Sequence, residues 1–370
     1  MAVQTETLAP ARNGVGVWLV LGLLALAGLL VVPFWLYPVF LMNVMCFALF
    51  ASAFNLLVGY VGLLSFGHAA FFGGAAYFTA HAVKVWGWEP FAGILLGVAG
   101  AAALGLAIGY LAIRRTGIYF SMITLALAQL FYFICLQAPF THGEDGIQGV
   151  PRGRLFGAID LNEPLAMYYV VLAIFLFGLF AVWRIVNSPF GNILKAIREN
   201  ENRAVSLGYR AERYKLAAFV MSAALAGLAG GTKALVFQLA TLTDVSWQMS
   251  GEVILMTLLG GIGTMLGPTV GAALVVALQN YLAASAFPVT VLIGIIFVVC
   301  VLVFRRGMVG ELLHYLDRRR AAALSQPGTS PADRVTSAGA VAPPPRAATP
   351  EARSDRSAGL DAVGPDRPAV

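Results

Sequence analysis

Charge that could grip a partner is concentrated in one stretch of this sequence, residues 188–210. Lys195, Arg198, Glu199, Glu201, Arg203 and Arg210 fall within it, and Glu212, Arg213 and Lys215 follow. A cluster this dense cannot lie in hydrocarbon, where each charge costs at least ~3 kcal/mol. Nor is it composed like a flexible linker. Ser188 before Pro189 predicts a helix start, because the hydroxyl caps free N–H groups and Pro at the first position gives up no needed donor. Ile193, Ile197 and Ala204 then fall on one helix face, with Lys195, Arg198 and Glu199 elsewhere, and Gly208 supplies a stop. The stretch reads as one ordered amphipathic element on the basic side of a membrane. It is either a charged loop obeying the positive-inside rule or a docking element for a soluble cytoplasmic partner.

Reactive chemistry is hard to find elsewhere. Cys46, Cys135 and Cys300 lie far apart inside apolar runs with no metal spacing, and the four histidines are scattered. No nucleophile motif appears, and no Gly-x-x-x-x-Gly-Lys-Ser/Thr phosphate loop, so any ATPase that powers this chain must be a separate protein. These residues predict neither a metal, nor a cofactor, nor an enzyme.

The elements that must position the charged stretch are apolar. The 370 residues are 59% hydrophobic and 11% charged, with a mean hydropathy of +0.81. A soluble fold could not hide that much apolar surface, and runs of about 20 apolar residues recur, the length that crosses a bilayer core. The expected fold is all-α, a polytopic transmembrane helical bundle. The net charge of +6 is modest and fits cytoplasmic loops rather than nucleic-acid binding.

Ten spans are expected, near 15–32, 38–58, 63–83, 91–113, 117–138, 165–184, 214–236, 251–263, 266–284 and 288–304. Arg12, Arg114-Arg115, the 184–213 cluster and Arg305-Arg306 then share the cytoplasmic side, as do both termini. Spans eight and nine are short and could instead be re-entrant. This divides the chain into a cytoplasmic segment 1–14, a transmembrane domain 15–306 and a tail 307–370. The tail is rich in Ala, Pro, Ser, Gly, Arg and Asp and too poor in apolar residues to fold.

Small residues recur every fourth position in span four (Gly93, Gly97, Ala101, Gly105, Gly109) and span seven (Ala218, Ser222, Ala226, Gly230, Ala234). Such stripes let helix backbones approach closely in lipid. Two Gly-rich breaks interrupt apolar runs, one in each half: Gly59 to Gly67 with His68, continuing to Gly73-Gly74, and Gly260 to Gly271. Unwound backbone at membrane depth is tolerated where it lines a cavity or is covered by protein, so Gly62, Gly67, Gly261, Gly263 and Thr264 are candidates for a translocation path. Asn55, Ser65, Thr124 and Gln129 either join helices by hydrogen bonds or line that path. His68 either satisfies a backbone carbonyl or binds substrate. Lys233 and Glu252 flank the polar stretch 237–250 and either pair with each other or face the path. Glu144 and Asp145 occupy a loop on the expected outer face.

Four motifs in order then carry a resemblance. Asn55-Leu-Leu-Val-Gly-Tyr-Val-Gly-Leu-Leu-Ser-Phe-Gly-His-Ala-Ala-Phe-Phe72, Thr141-His-Gly-Glu-Asp-Gly146, Lys195-Ala-Ile-Arg-Glu-Asn-Glu201 and Leu259-Gly-Gly-Ile-Gly-Thr-Met-Leu-Gly-Pro268 together resemble the "M"-type membrane permeases of branched-chain amino acid ABC importers. The likeness covers about 15–306, and urea and short-chain amide importers use closely similar permeases. It implies a multi-pass protein of the bacterial inner membrane. It also implies a sister permease, two cytoplasmic ABC ATPases that bind the ATP, and an extracytoplasmic substrate-binding protein. ATPase coupling then falls to Lys195, Ala196, Ile197, Arg198, Glu199, Glu201, Ala204 and Gly208. The family's loop pattern resembles Glu-Ala-Ala-x-x-x-Gly; here Asn202-Arg203-Ala204-Val-Ser-Leu-Gly208 keeps the Ala and Gly while the acidic residue is displaced to Glu201. Two other classes fit less well. A secondary transporter needs carboxylates deep in the bundle, where Glu252 is the one candidate, and a membrane enzyme needs clustered nucleophile motifs.

Overall fold

The computed structural model describes residues 27–282 apart from 156 and 158, single positions at 291, 294, 295 and 298, and residues 307–311. The expected segment 1–14, most of spans one and ten, Cys300, Arg305-Arg306 and nearly all of the tail lie outside the described residues.

A helical end at 27–31 and a 3-10 turn, Val32–Phe34, lead into α1 (Pro38–Tyr60). There follow α2 (His68–Lys84), α3 (Pro90–Ala112) and α4 (Ile118–Gln137). An irregular segment carries the two-residue strands β1 (Ile147–Gln148), β2 (Arg154–Leu155) and β3 (Ile159–Asp160). Next come α5 (Pro164–Val186), α6 (Pro189–Glu199), α7 (Glu201–Ser206) and α8 (Ala211–Phe237). The continuous described stretch closes with β4 (Leu239–Ala240), a 3-10 turn Leu242–Val245, α9 (Trp247–Gly260) and α10 (Gly267–Leu282), and a helical turn follows at 308–311. Proline sits in the first turn of α1, α3, α5 and α6, where the lost N–H has no intrahelical partner and the fixed φ suits a helix.

Among the described residues five helices, α1, α3, α4, α5 and α8, are long and apolar enough to cross a membrane. The segments expected as spans three, eight and nine form α2, α9 and α10, of 17, 14 and 16 residues. At a rise of 1.5 Å per residue, α9 extends only about 21 Å, short of a ~30 Å hydrocarbon core. It is preceded not by helix but by β4 and the 3-10 turn.

The core is built on α1, α2 and α8. Every residue of α1 from Met45 to Leu57 is buried, and Phe50 stacks on Phe72 of α2 with ring centroids 4.3 Å apart. The helices α3, α4 and α5 bury one face only. Their opposite faces expose Leu95, Leu106, Met122, Phe133, Phe177 and Phe180, as lipid or a protein partner permits. The small-residue stripe of α3 packs as its spacing predicts. A Cβ on Gly97 would meet Thr79 Oγ1 of α2 at 2.4 Å, and one on Gly105 would meet Ala223 Cβ of α8 at 2.5 Å. The α8 stripe turns the other way. Gly230 lies against the Phe72 backbone, while Ala223 and Gly227, off that stripe, take the α3 contacts. Thus α8 has two small faces, and α2 and α3 each occupy one.

Antiparallel pairing of β1 with β4 ties the loop after α4 to the segment after α8. Arg152 reinforces this by donating to Val236 O (2.7 Å) and Leu235 O (3.4 Å), two carbonyls of the last α8 turn that lack helical partners. Glu144 and Asp145 are exposed in this loop. At the other end of the bundle, Arg114, Glu212 and Arg213 line one recess with Gly109 and Leu216. The basic residues after α3 and at the start of α8 therefore share an end.

Candidate coupling and translocation site

The 188–210 element forms much as its residues predict, with one correction. Ser188 Oγ accepts the N–H of Gly191 at 3.3 Å, Pro189 opens α6, and Gly208 ends α7 with φ +90°. A single continuous helix was the expectation, however, and Asn200 breaks it. Asn200 is extended (φ −156°, ψ 98°), and its Oδ1 accepts the N–H of Arg203 at 3.0 Å, which starts α7 afresh. Asn is among the strongest N-caps, and here the cap outweighs continuation. Asn200→Ala is expected to remove about 1 kcal/mol from α7, read as faster hydrogen exchange of the 201–206 amides with α1 protection unchanged. Unchanged exchange would show that tertiary contacts alone hold the turn.

Within the element, Ile197, Ala204 and Ala211 form a small buried cluster against Ile193 and Tyr214. Glu201, the displaced acidic residue, pairs with the buried Lys215 at 2.6 Å and so ties α7 to the root of α8. Ala196, Glu199 and Gly208 are exposed, and so are Val205 and Leu207.

The two Gly-rich breaks meet in space. Asn55, inside α1, donates from Nδ2 to Thr264 O and accepts the N–H of Gly263, both at 2.9 Å. Gly59 presses so closely on this turn that a Cβ would stand 2.8 Å from Gly263 N. Arg198 of α6 reaches the same point, donating from Nη1 to Gly59 O. Its stem lies on Gly62, where a Cβ would meet Arg198 Cγ at 3.0 Å, and the Gly263 Cβ position is 3.6 Å from Nη1. One turn back on α6, Lys195 Nζ stands 5.7 Å from the centre of the Tyr60 ring. Both cations thus address the C-terminal end of α1, where unpaired carbonyls carry the negative end of the helix dipole. Gly261 (φ +117°) and Gly263 (φ +77°) adopt backbone that other residues rarely take, which is why this turn is glycine-rich.

The first break is stitched to its neighbours. Ser121 Oγ donates to Leu64 O (2.6 Å), Thr124 Oγ1 accepts from Phe66 N–H (3.2 Å), and Ser65 Oγ accepts from Gly67 N–H (3.2 Å). Ser250 Oγ of α9 accepts the Ala69 N–H in the first turn of α2. His68 is wholly buried with Nε2 2.9 Å from Ser222 Oγ. Ser222 gives its one proton to Ala53 O, so His68 donates from Nε2 and Nδ1 carries the lone pair, unpartnered among the described residues. Thr124 and Ser65 therefore hold the break's backbone, and His68 joins α1, α2 and α8. Gln129 sits half-buried on α4.

Lys233 and Glu252 do not pair with each other. Lys233 forms an ion pair with Asp244 of the 3-10 turn before α9, and its Nζ lies 5.6, 5.6 and 5.8 Å from the ring centres of Phe47, Phe72 and Phe237. Glu252 accepts instead from Gln279 Nε2 at 3.2 Å. Asp244 is only 2% exposed, and its Oδ2 has no partner among the described residues. Val245 beside it lies against Gly73 of α2, so the segment from β4 to α9 dips into the helix bundle.

The family model for the branched-chain amino acid transport system permease component matches residues 37–303. The chain belongs to this permease family. Curated relatives agree. The LivM high-affinity branched-chain amino acid transport permease of Escherichia coli K12 is 28% identical over 260 residues, and that of Salmonella typhimurium LT2 is 27% identical. Each alignment covers 63% of this chain and 60% of the relative, so this chain spans about three-fifths of those proteins' length. A probable LivM permease of Methanocaldococcus jannaschii is 26% identical over 273 residues, covering 67% of this chain and 77% of the relative. No solved structure matches. With its long apolar helices, the permease is a multi-pass membrane protein.

Some residues of this permease's site escaped the sequence reading. Asp244 sat unmarked in a polar stretch and Ser222 was read only as a small stripe residue, although the stretch's position beside a lone intramembrane Lys was a usable signal. That Lys195 and Arg198 turn toward the bundle follows from the i, i+3 spacing only once α1 is known to end there.

Proposed function

We propose that this chain is a permease subunit of an ATP-binding-cassette importer for branched-chain or related amino acids, driven by separate ATPases through the 188–210 element. The observation that carries the reading is an amphipathic element, set at the basic end of an apolar bundle, whose inner side grips the bundle and whose outer side has no partner among the described residues. Its buried face (Leu194, Ile197, Ala204) anchors it, while Val205 and Leu207 stand 53% and 71% exposed beside Ala196 and Glu199. A recess lined by Phe190, Gly208, Tyr209 and Arg213 adjoins them. Apolar residues exposed at the polar end of a membrane protein have no lipid to cover them, and a soluble ATPase supplies that cover.

The assembly comprises a sister permease, two ABC ATPases that bind the ATP, and an extracytoplasmic binding protein, in a bacterial inner membrane. The permease crosses ten times with both termini cytoplasmic, α9 and the dipping segment before it forming the eighth crossing. Glu144 and Asp145 then face the binding protein. The subunit carries no cofactor and catalyses no reaction itself. Alternating access follows from ATPase closure pushing on α6 and α7.

The test is uptake of radiolabelled L-leucine with co-purification of the ATPases. Gly208→Asp puts a charged side chain on a left-handed backbone in open space, and Ala204→Glu forces a carboxylate into the Ile197–Ala211 cluster. Both are expected to abolish uptake and ATPase association while the chain still inserts. Normal co-purification with both variants would refute the coupling role. Uptake of urea or acetamide but not leucine would move the substrate to the amide class.

A further inference from the structure

We infer that Arg198 is not an ATPase contact but a positioning residue, a relay that carries displacement of α6 into the two Gly-rich breaks at once. The inference rests on the importer reading and assigns a specific task within it.

Three observations converge. Arg198 is the α6 side chain that touches both breaks: its guanidinium donates to Gly59 O, its stem covers Gly62, and its Nη1 lies beside Gly263. The breaks are in turn joined rigidly, since Asn55 holds Gly263 N–H and Thr264 O with paired 2.9 Å bonds and Gly59 fits against Gly263 with no room for a Cβ. The turn so gripped ends α9, whose far end starts three residues after Asp244, the partner of Lys233. Movement of α6 therefore acts on the end of α1 and the end of α9 together, and α9 is a rod that runs from this junction to the buried ion pair.

Chemistry makes Arg suited to the task. One guanidinium presents several fixed donors in a plane, so it can hold a carbonyl while lying beside two glycine backbones. The glycines are the complement. At Gly62 (φ +82°) a side chain would crowd the Arg198 stem as well as strain the backbone, and at Gly263 (φ +77°) it would strain the backbone beside Nη1. Arg198 is exposed, as Ala196 and Glu199 are, yet its guanidinium turns back onto Gly59 O at the end of α1 rather than away from the bundle.

The test uses the complete transporter, with its ATPases and sister permease, in proteoliposomes. Radiolabelled L-leucine uptake and ATP hydrolysis are measured side by side. Arg198→Ala is expected to leave ATPase co-purification unchanged and to lower leucine moved per ATP hydrolysed at least about tenfold, the loss of one charge-assisted contact at a mechanical joint. Arg198→Lys is expected to recover part of that ratio. Adding Asn55→Ala to Arg198→Ala is expected to cost little more, because both act on one joint. Loss of ATPase co-purification with Arg198→Ala would overturn the relay by making Arg198 a docking contact. An unchanged ratio of leucine to ATP would overturn it as well, and so would equal loss of uptake and hydrolysis with lower thermal stability. If the unaltered chain retains no ATPase, the importer reading fails, and that appears in the wild-type control before any variant is compared.

Discussion

Lys233→Met is expected to destabilise the folded permease by about 3–5 kcal/mol, the usual cost of stripping a buried charge of its partner. Asp244 is 2% exposed and already has one oxygen without a partner. Removing Lys233 would leave the whole buried Asp244 carboxylate without its cation. The cation also lies near the faces of the Phe47, Phe72 and Phe237 rings, contacts worth about 0.5–2 kcal/mol when desolvated. Thermal unfolding of the purified permease in detergent reads the effect directly. The double variant Lys233→Met/Asp244→Leu supplies the control, because replacing a buried pair by apolar residues of similar size is often neutral or better. The double variant should therefore be markedly more stable than Lys233→Met alone. A Lys233→Met protein as stable as the wild type would show that Asp244 reaches water or another cation. If the double variant is stable but no longer transports leucine, the pair has a role in the transport cycle as well as in the fold.

Gly230→Ala is the second large effect. Alanine in a helix interior normally gains about 1 kcal/mol over glycine. Here the added Cβ would stand 1.9 Å from Phe72 O, a backbone atom that cannot rotate away. The α2 and α8 backbones must separate, and overpacking of that kind costs about 1–3 kcal/mol or more. Those helices also carry the His68–Ser222 and Lys233–Phe72 contacts, which the separation would stretch. Gly251 in α9 is the matched control, since among the described residues nothing lies within 4 Å of its added Cβ. Gly251→Ala should be neutral or slightly stabilising in the same melting experiment. Equal melting of the two variants would mean that α2 and α8 are not in contact at Gly230.

Much of this arrangement could be read from short windows of sequence. The run expected at 38–58 is α1, Pro38–Tyr60, and the run at 165–184 is α5, Pro164–Val186, because apolar length and a proline start are local properties. Ser188 and Gly208 bound the charged element for the same reason. The Asn200 break was missed because side-chain capping and helix continuation differ by only about 1 kcal/mol, which a charge pattern does not resolve. The breaks at Gly59–Gly67 and Gly260–Gly271 were both visible, but nothing in either says that they touch.

Membrane class, the long apolar helices, the basic end and the lack of an ATP-binding motif were determined by the sequence alone. Each follows from composition and periodicity within about twenty residues, where burial in lipid acts on every side chain independently. Which polar groups serve the site was decided by the tertiary structure. Asn55 meets Gly263 208 positions away, Arg198 meets Gly59 across 139, and His68 meets Ser222 across 154. A polar group inside a bundle must find a partner, and helices from distant parts of the chain supply it. One sequence names the donors and acceptors; only the packed bundle chooses among the pairings.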